Sequence, residues 1–214
     1  MIKPETIWNQ RYARANRVIF PQNDAWLDRW RPLLATNPGQ ALDIGCGDGF
    51  DTEILLAWGF SVTAVDVSAK AIALSQKRNP AATHLVLDVQ NIGQVDGDFD
   101  LIVAGLSLHY FSREETESIF DAIYRLLVPG GFFVFRVNAF DDAPPSAPAS
   151  SSGWECVLVD GIVKQFFSPE KIDNLLKGRY LVFSQQKLVV HRYGTPKSLF
   201  EVVAKKSHPK NHEY

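Results

Sequence analysis

Cysteine, an excess of either charge and long apolar runs are all scarce in this 214-residue chain. The two cysteines, Cys46 and Cys156, lie far apart and form no C-x-x-C pair. That excludes a disulfide framework and a zinc cluster and fits a reducing compartment. Lys and Arg number 22 against 24 Asp and Glu, a formal net charge of -2. A nucleic-acid groove needs a basic excess, so no nucleic-acid partner is expected. The one basic run, Lys205-Lys206 with Lys210, reads as a solvated tail. No apolar run reaches membrane-spanning length, and the N-terminal MIKPETIWNQRYARANR has no apolar leader region. A cytoplasmic protein without a membrane partner is the expectation. No internal repeat stands out, and nothing in the composition speaks to oligomeric state.

What is present reads as a single domain of 1–214. Residues 3–19 suit a helix, with Trp8 and Tyr12 at i, i+4 on one face. Asn23 or Asp24 can cap a second helix whose apolar side is Trp26, Leu27 and Trp30, with Pro32 kinking or restarting it. Residues 1–36 thus form an N-terminal helical cap. Over residues 40–138 strands and helices alternate: QALDIG, FDTEILLAWG, SVTAVDV, SAKAIALSQKR, HLVLDV and FDLIVAGL. A helix to Leu127 follows, opened by a capping box of Ser112 and Glu115, and then GFFVFRV. Pro129-Gly130-Gly131 is expected to end that helix and turn the chain. Short strands apolar on both faces, alternating with helices, specify an α/β fold: a Rossmann-like, doubly wound parallel sheet with right-handed crossovers. Residues 139–168 hold the low-complexity DDAPPSAPASSSG and a hairpin signal at Asp160-Gly161. This segment is either a lid that orders on ligand binding or a tolerated insertion. Residues 169–206 hold a last helix, capped by Ser168 with Pro169 at its first position, and two strands expected to pair antiparallel at the sheet edge.

ALDIGCGDGF, residues 41–50, carries the chemistry. A dinucleotide fingerprint, G-x-G-x-x-G, would need glycine at position 50, where Phe50 stands. The stretch contains no Lys or Arg to meet a pyrophosphate, and Asp43 and Asp48 flank its glycines. Carboxylates there favour a cation-bearing nucleoside. S-adenosylmethionine fits: it carries an ammonium, a sulfonium and one carboxylate that backbone N–H groups can hold. Gly45, Gly47 and Gly49 let the backbone approach it closely, and Cys46 contributes backbone, with its side chain beside the cofactor. Asp66, with Val67 beside it, ends the second strand and can accept from both ribose hydroxyls. Asp88 ends the third strand and can accept from the adenine amine, with the Val89 N–H for a ring nitrogen; Ala104 lies at the end of the fourth. The competing interpretation is that Asp66 and Asp88 only cap the next helices.

With these residues in order, together with FDLIVAGLSLHYF and LLVPGGFFVFRVN, residues 40–138 resemble the class I S-adenosylmethionine-dependent methyltransferases. The tail VDGIVKQFFSPEKI…RYGTPKSLFEVVAKK is similar to small bacterial enzymes near the tellurite-resistance methyltransferases. The resemblance implies a seven-stranded sheet of order 3-2-1-4-5-7-6 with strand 7 antiparallel. It also implies S-adenosyl-L-methionine as cofactor and methyl transfer to a small-molecule acceptor.

In open α/β sheets ligands lie beyond the strand C-termini. The acceptor is therefore expected near the ends of strands four and five. His109 there can take a proton from the attacking group, with Tyr110 beside it; alternatively both rings pack under the next helix. Arg136 and Asn138 share a face of strand five and can hold a substrate anion or oxygen; alternatively Arg136 makes an internal ion pair. His109 and Arg136 are expected to converge on one pocket. Trp8 and Tyr12 can close over the sulfonium or substrate, or simply pack their helix on the domain. The Asn/Asp-Pro-Pro-aromatic signature of amino-methylating enzymes is replaced by Ala104-Gly105-Leu106-Ser107. The strand-end Asp of metal-assisted catechol-type enzymes is also missing, so no catalytic metal is expected. Two other functions remain open: a non-catalytic S-adenosylmethionine-binding module and a nicotinamide-dependent oxidoreductase.

Overall fold

The computed structural model describes residues 3–13, 25–144, 156–159, 162–192 and 195–207. Seven strands form one sheet: β1 (Gln40–Ile44), β2 (Ser61–Asp66), β3 (Thr83–Val86), β4 (Phe99–Gly105), β5 (Leu127–Asn138), β8 (Tyr180–Arg192) and β9 (Thr195–Lys206). Their spatial order is β3-β2-β1-β4-β5-β9-β8. The first five are parallel, and β9 runs antiparallel to both β5 and β8. Two short strands, β6 (Val157–Val159) and β7 (Ile162–Lys164), pair antiparallel outside this sheet. With that hairpin set aside, the order and the antiparallel seventh strand match those implied by the sequence.

The helices are α1 (Pro4–Ala13), α2 (Arg31–Leu34), α3 (Phe50–Ala57), α4 (Ala69–Arg78), α5 (Arg113–Leu126) and α6 (Pro169–Leu176). Their ends follow the capping chemistry in the sequence. Ser68, Ser112 and Ser168 each accept a backbone N–H in the first turn, and Glu115 completes the capping box by accepting from the Ser112 N–H. A single 3-10 turn, Asp28–Trp30, leads into α2, so Pro32 restarts a helix at its beginning. The proposed cap at Asn23 or Asp24, residues 145–155 of the Pro/Ser stretch and the Asp160-Gly161 turn lie outside the described residues.

Two boundaries differ from expectation. Pro129-Gly130-Gly131 lies inside β5 as a bulge: Phe99 pairs with Leu127, and Leu101 already pairs with Phe132. The α5 helix has ended at Leu126, and the extra residues are absorbed where the strand starts, at its amino end. The third strand closes at Val86, and Asp88 stands beyond it as the N-cap of a 3-10 turn, Val89–Gln94.

Each sheet face has its own core. One face packs Phe133, Phe135 and Phe200 against Phe120, Ile119 and Ile123 of α5 and Ile172 of α6. Burying rings such as Phe120, Phe133 and Phe135 is worth about 2 kcal/mol each. The other face packs Leu101, Val103, Val134 and Val203 against Leu55 of α3, Trp58, and Trp26, Leu27 and Leu34 of the N-terminal segment. This second core ends, at the carboxyl ends of β4 and β5, in polar and charged groups.

Candidate active site

The glycine loop joins β1 to α3 and is pinned to β2. The N–H groups of Gly45 and Cys46 both donate to the Val65 carbonyl, at 2.8 and 3.0 Å. The Gly47 N–H donates to Asp66 Oδ2 at 3.0 Å, and the Ser68 N–H to Asp66 Oδ1 at 2.8 Å. Gly45, Gly47 and Gly49 all have positive φ, +71°, +57° and +87°. The backbone angle favours glycine at Gly47, and a Cβ there would sit 2.6 Å from the Tyr12 hydroxyl, which would have to shift.

Asp43 lies at the floor, between Ala64 of β2 and Val103 of β4, and is 1% exposed. Thr52 Oγ1, from the first turn of α3, donates to its Oδ2 at 2.6 Å. Burial, followed by the charges of Asp51 and Asp66, pushes the Asp43 carboxyl up to about 8. Burial raises Asp66 as well, opposed by the backbone donors of Ser68 and Gly47. Asp48 differs from expectation. Arg78, from the last turn of α4, donates to its backbone oxygen and pairs with its carboxylate at 3.3 Å. The acidic character of the loop therefore rests on Asp43 and Asp66, while the charge of Asp48 is answered from α4.

Cys46 is buried, and burial followed by the charges of Asp43 and Asp66 holds its thiol well above the ordinary thiol range. The thiol packs with Ala64 and Ile72. Asp88 accepts from the Gln90 N–H through Oδ1 at 3.0 Å, so capping and ligand binding are compatible roles for its two oxygens. Val89 and Ala104 are buried and Val67 half-buried, which leaves mainly their backbones to face a ligand.

The first helix, α1, crosses this loop. Asn9 Oδ1 accepts from Ser68 Oγ at 2.9 Å and from the Lys70 N–H at 3.1 Å, docking α1 on the start of α4. Tyr12 reaches Gly47, and Trp8 meets Tyr110 edge to face with ring centroids 5.3 Å apart. Trp8, Tyr12, Tyr110 and the loop are thereby brought together. The helix has no buried residue, so core packing does not account for its position.

His109 is 2% exposed and lies against Tyr110 at 4.1 Å between centroids. Its backbone oxygen accepts from the Gln165 N–H at 2.8 Å. Arg136 is held on the other side. Its guanidinium pairs with Glu201 of β9, Nε at 2.8 Å and a terminal nitrogen at 2.7 Å, and lies over the Trp26 ring at 4.5 Å. Of the two alternatives for Arg136, the internal ion pair is the one observed. His109 and Arg136 are thus held by different partners. Asn138, half-buried, accepts from the Phe167 N–H through its backbone oxygen at 2.9 Å.

Residues to which sequence reasoning gave no role in the site complete this end of the sheet. Glu201 is 1% exposed and accepts from Arg136, from Trp30 Nε1 at 2.7 Å and from Arg29. Trp26 Nε1 donates to Asp51 at 3.0 Å, and a Cβ on Gly105 would lie 2.7 Å from that carboxylate. Leu106 follows with φ +63°, an uncommon angle for a branched residue, and its N–H donates to the Arg136 carbonyl at 3.0 Å. One sequence signal for Glu201 did exist. In SLFEVV and in GFFVFRV a single charge stands amid apolar residues, of opposite sign, on strands expected at the same end of the sheet.

The glycine cradle, the two buried carboxylates under it and the absence of Lys or Arg from the loop sequence fit a nucleoside that carries positive charge. A model of the family described as "Methyltransferase domain" matches residues 41–131. The chain is 29% identical over 182 residues to the malonyl-[acyl-carrier protein] O-methyltransferase of Enterobacter lignolyticus, aligning 84% of this chain with 68% of that protein. Against the trans-aconitate 2-methyltransferase of Paracidovorax citrulli it is 32% identical over 120 residues, 51% of this chain and 45% of that protein. The chain belongs to the class I S-adenosylmethionine-dependent methyltransferases.

Among solved structures, this methyltransferase is similar to the 1,6-didemethyltoxoflavin-N1-methyltransferase of Burkholderia thailandensis, crystallised with S-adenosylhomocysteine. The TM-score is 0.69 at 21% identity, over 95% of this chain and 87% of that one. It is similar also to TehB of Haemophilus influenzae, with a TM-score of 0.69 at 16% identity, over 93% and 67% of the chains. At these identities the likeness concerns the fold. The methyltransferase spans about half the length of several curated relatives that it matches. The nicotinamide alternative falls with this assignment. Among the described residues, no helix is long and apolar enough to cross a membrane.

Proposed function

We propose that this methyltransferase transfers the methyl group of S-adenosylmethionine to a small-molecule acceptor, and that the accepting atom is a carboxylate oxygen. The observation that carries the carboxylate is the state of His109. The base candidate of the sequence is 2% exposed and packed against Tyr110. A carboxylate is already ionised at neutral pH and needs no base, unlike an alcohol or an alkylammonium group. Relatives support the same chemistry by their names, malonyl-[acyl-carrier protein] and trans-aconitate both bearing carboxyl groups.

The chain's own residues then have these roles. Gly45, Gly47 and Gly49 open the loop, Asp66 accepts from the ribose, and Asp88 and the Val89 N–H read the adenine. The cofactor, when bound, supplies an electrophilic methyl on a sulfonium. Trp8, Tyr12 and Tyr110 wall the acceptor side and exclude water, and Asn138 contributes from the end of β5. Holding acceptor and donor in line provides much of the rate.

The test is incubation with S-adenosylmethionine and malonyl thioester, trans-aconitate, amine, thiol and phenol probes, following S-adenosylhomocysteine. Turnover on carboxylates, with a methyl ester that alkali cleaves, is expected. Turnover on amines or thiols alone would overturn the carboxylate assignment. Binding of S-adenosylhomocysteine with no turnover on any probe would favour a non-catalytic binding module.

A further inference from the structure

Among the described residues, Asp43 is surrounded by acid and has no cation paired with it. From α3, Asp51 and Thr52 face it; from β2, Asp66; from the loop, the Cys46 thiol. Among the described residues, the positive side chains near the cradle are engaged elsewhere: Arg78 with Asp48 and Glu53, Arg136 with Glu201, and Arg11 over the Trp8 ring. Asp66 is 7% exposed and accepts two backbone N–H groups, which favour its ionised form. Asp43 is more deeply buried, at 1%, and among the described residues its donors are the hydroxyl and the backbone N–H of Thr52 alone. Asp43 and Asp66 are both buried on paired strands, with no cation between them among the described residues, and such carboxylates do not both ionise at neutral pH.

We propose that Asp43 carries a proton in the ligand-free protein and releases it to solvent when a cation-bearing nucleoside binds, so that cofactor binding and proton release are one linked event. The bond broken is the Asp43 O–H. The proton goes to buffer, and the carboxylate left behind is balanced by the positive charge of the ligand. The raised titration range of Asp43 agrees with this. Two features of the fold make the exchange specific to Asp43. Its position on β1 is fixed by pairing on both sides, and its donor Thr52 stands on the helix that opens directly from the glycine loop. The inference rests on the cofactor assignment but goes beyond it, since occupancy of the site does not by itself require that a proton leave.

The experiment is calorimetric titration of the full chain with S-adenosylmethionine, without acceptor, and with S-adenosylhomocysteine. It is run at about pH 7 in phosphate and in Tris, whose ionisation heats differ; the difference between buffers counts protons, and release of about one proton is expected. Release with both ligands assigns the ammonium as the displacing charge, and release with the donor alone assigns the sulfonium; either supports the proposal. Asp43→Asn is expected to bind with the buffer dependence lost. Because that variant can fail to fold, the wild-type measurement decides by itself. Binding with no buffer dependence would overturn proton release while leaving the cofactor assignment intact. No binding heat at all would overturn both.

Discussion

Glu201 and Arg136 face each other across β9 and β5 and pair at two points, 2.7 and 2.8 Å, with both side chains almost fully buried. The same glutamate holds Arg29 and Trp30, so one carboxylate ties the N-terminal segment to the end of the sheet. Removing one partner strands the other charge away from water. Glu201→Ala is therefore expected to lower the unfolding free energy by about 3–5 kcal/mol, measured by urea denaturation. A loss under about 1 kcal/mol would mean that the pair contributes little.

Asp66 sits where the loop and the ribose would share a carboxylate. Asp66→Ala should weaken S-adenosylhomocysteine binding by about 10- to 100-fold, the loss of charge-assisted hydrogen bonds of about 1.5–3 kcal/mol. Calorimetry reads this directly, and unchanged affinity would refute the ribose assignment.

Gly47 has φ +57°, and Tyr12 occupies the space a side chain would need. Gly47→Ala is expected to cost about 1–3 kcal/mol in backbone strain and to reduce cofactor affinity. Adding Tyr12→Ala should relieve the crowding but not the strain, so the double variant should recover only part of the affinity.

The carboxyl of Asp43 is raised from 3.8 to about 8 in the folded chain. A raised acid favours the folded state fully only below its unfolded value, and the benefit is lost as pH climbs to the folded value. Without ligand, stability should fall between about pH 4 and about pH 8, and Asp43→Asn should flatten much of that slope. Thermal melts of both proteins across this range test it; identical slopes would contradict the titration of Asp43.

His109 is packed rather than presented. His109→Ala should reduce turnover on a carboxylate acceptor while leaving the shape of the pH–rate profile unchanged. Loss of a limb near the ordinary histidine range would restore His109 as a base.

Much of this molecule is legible in its residues because its signals are local. The capping serines Ser112 and Ser168 mark two helix starts, and each does cap. The apolar runs of β1, β2 and β4 need both faces covered, which demands a parallel sheet. Pro129-Gly130-Gly131 misled for a physical reason: turn-forming residues also make bulges, and only pairing with β4 distinguishes the two. Asp48 misled likewise, because its partner Arg78 lies on the next helix, and helix packing decides which charges meet.

The sequence alone determined the cradle. Glycines at alternate positions, Asp43 before them and Asp66 at the next strand end depend only on strand ends and backbone angles, which neighbouring residues set. The tertiary structure decided everything that depends on long-range side-chain meetings. It gave Arg136 to Glu201, placed Tyr12 on Gly47 and Trp8 on Tyr110, and enclosed Asp43 and Cys46 so that burial raises both. The physical reason is that burial and charge pairing depend on which distant segments exclude water from a group, and that is settled only when the sheet is assembled.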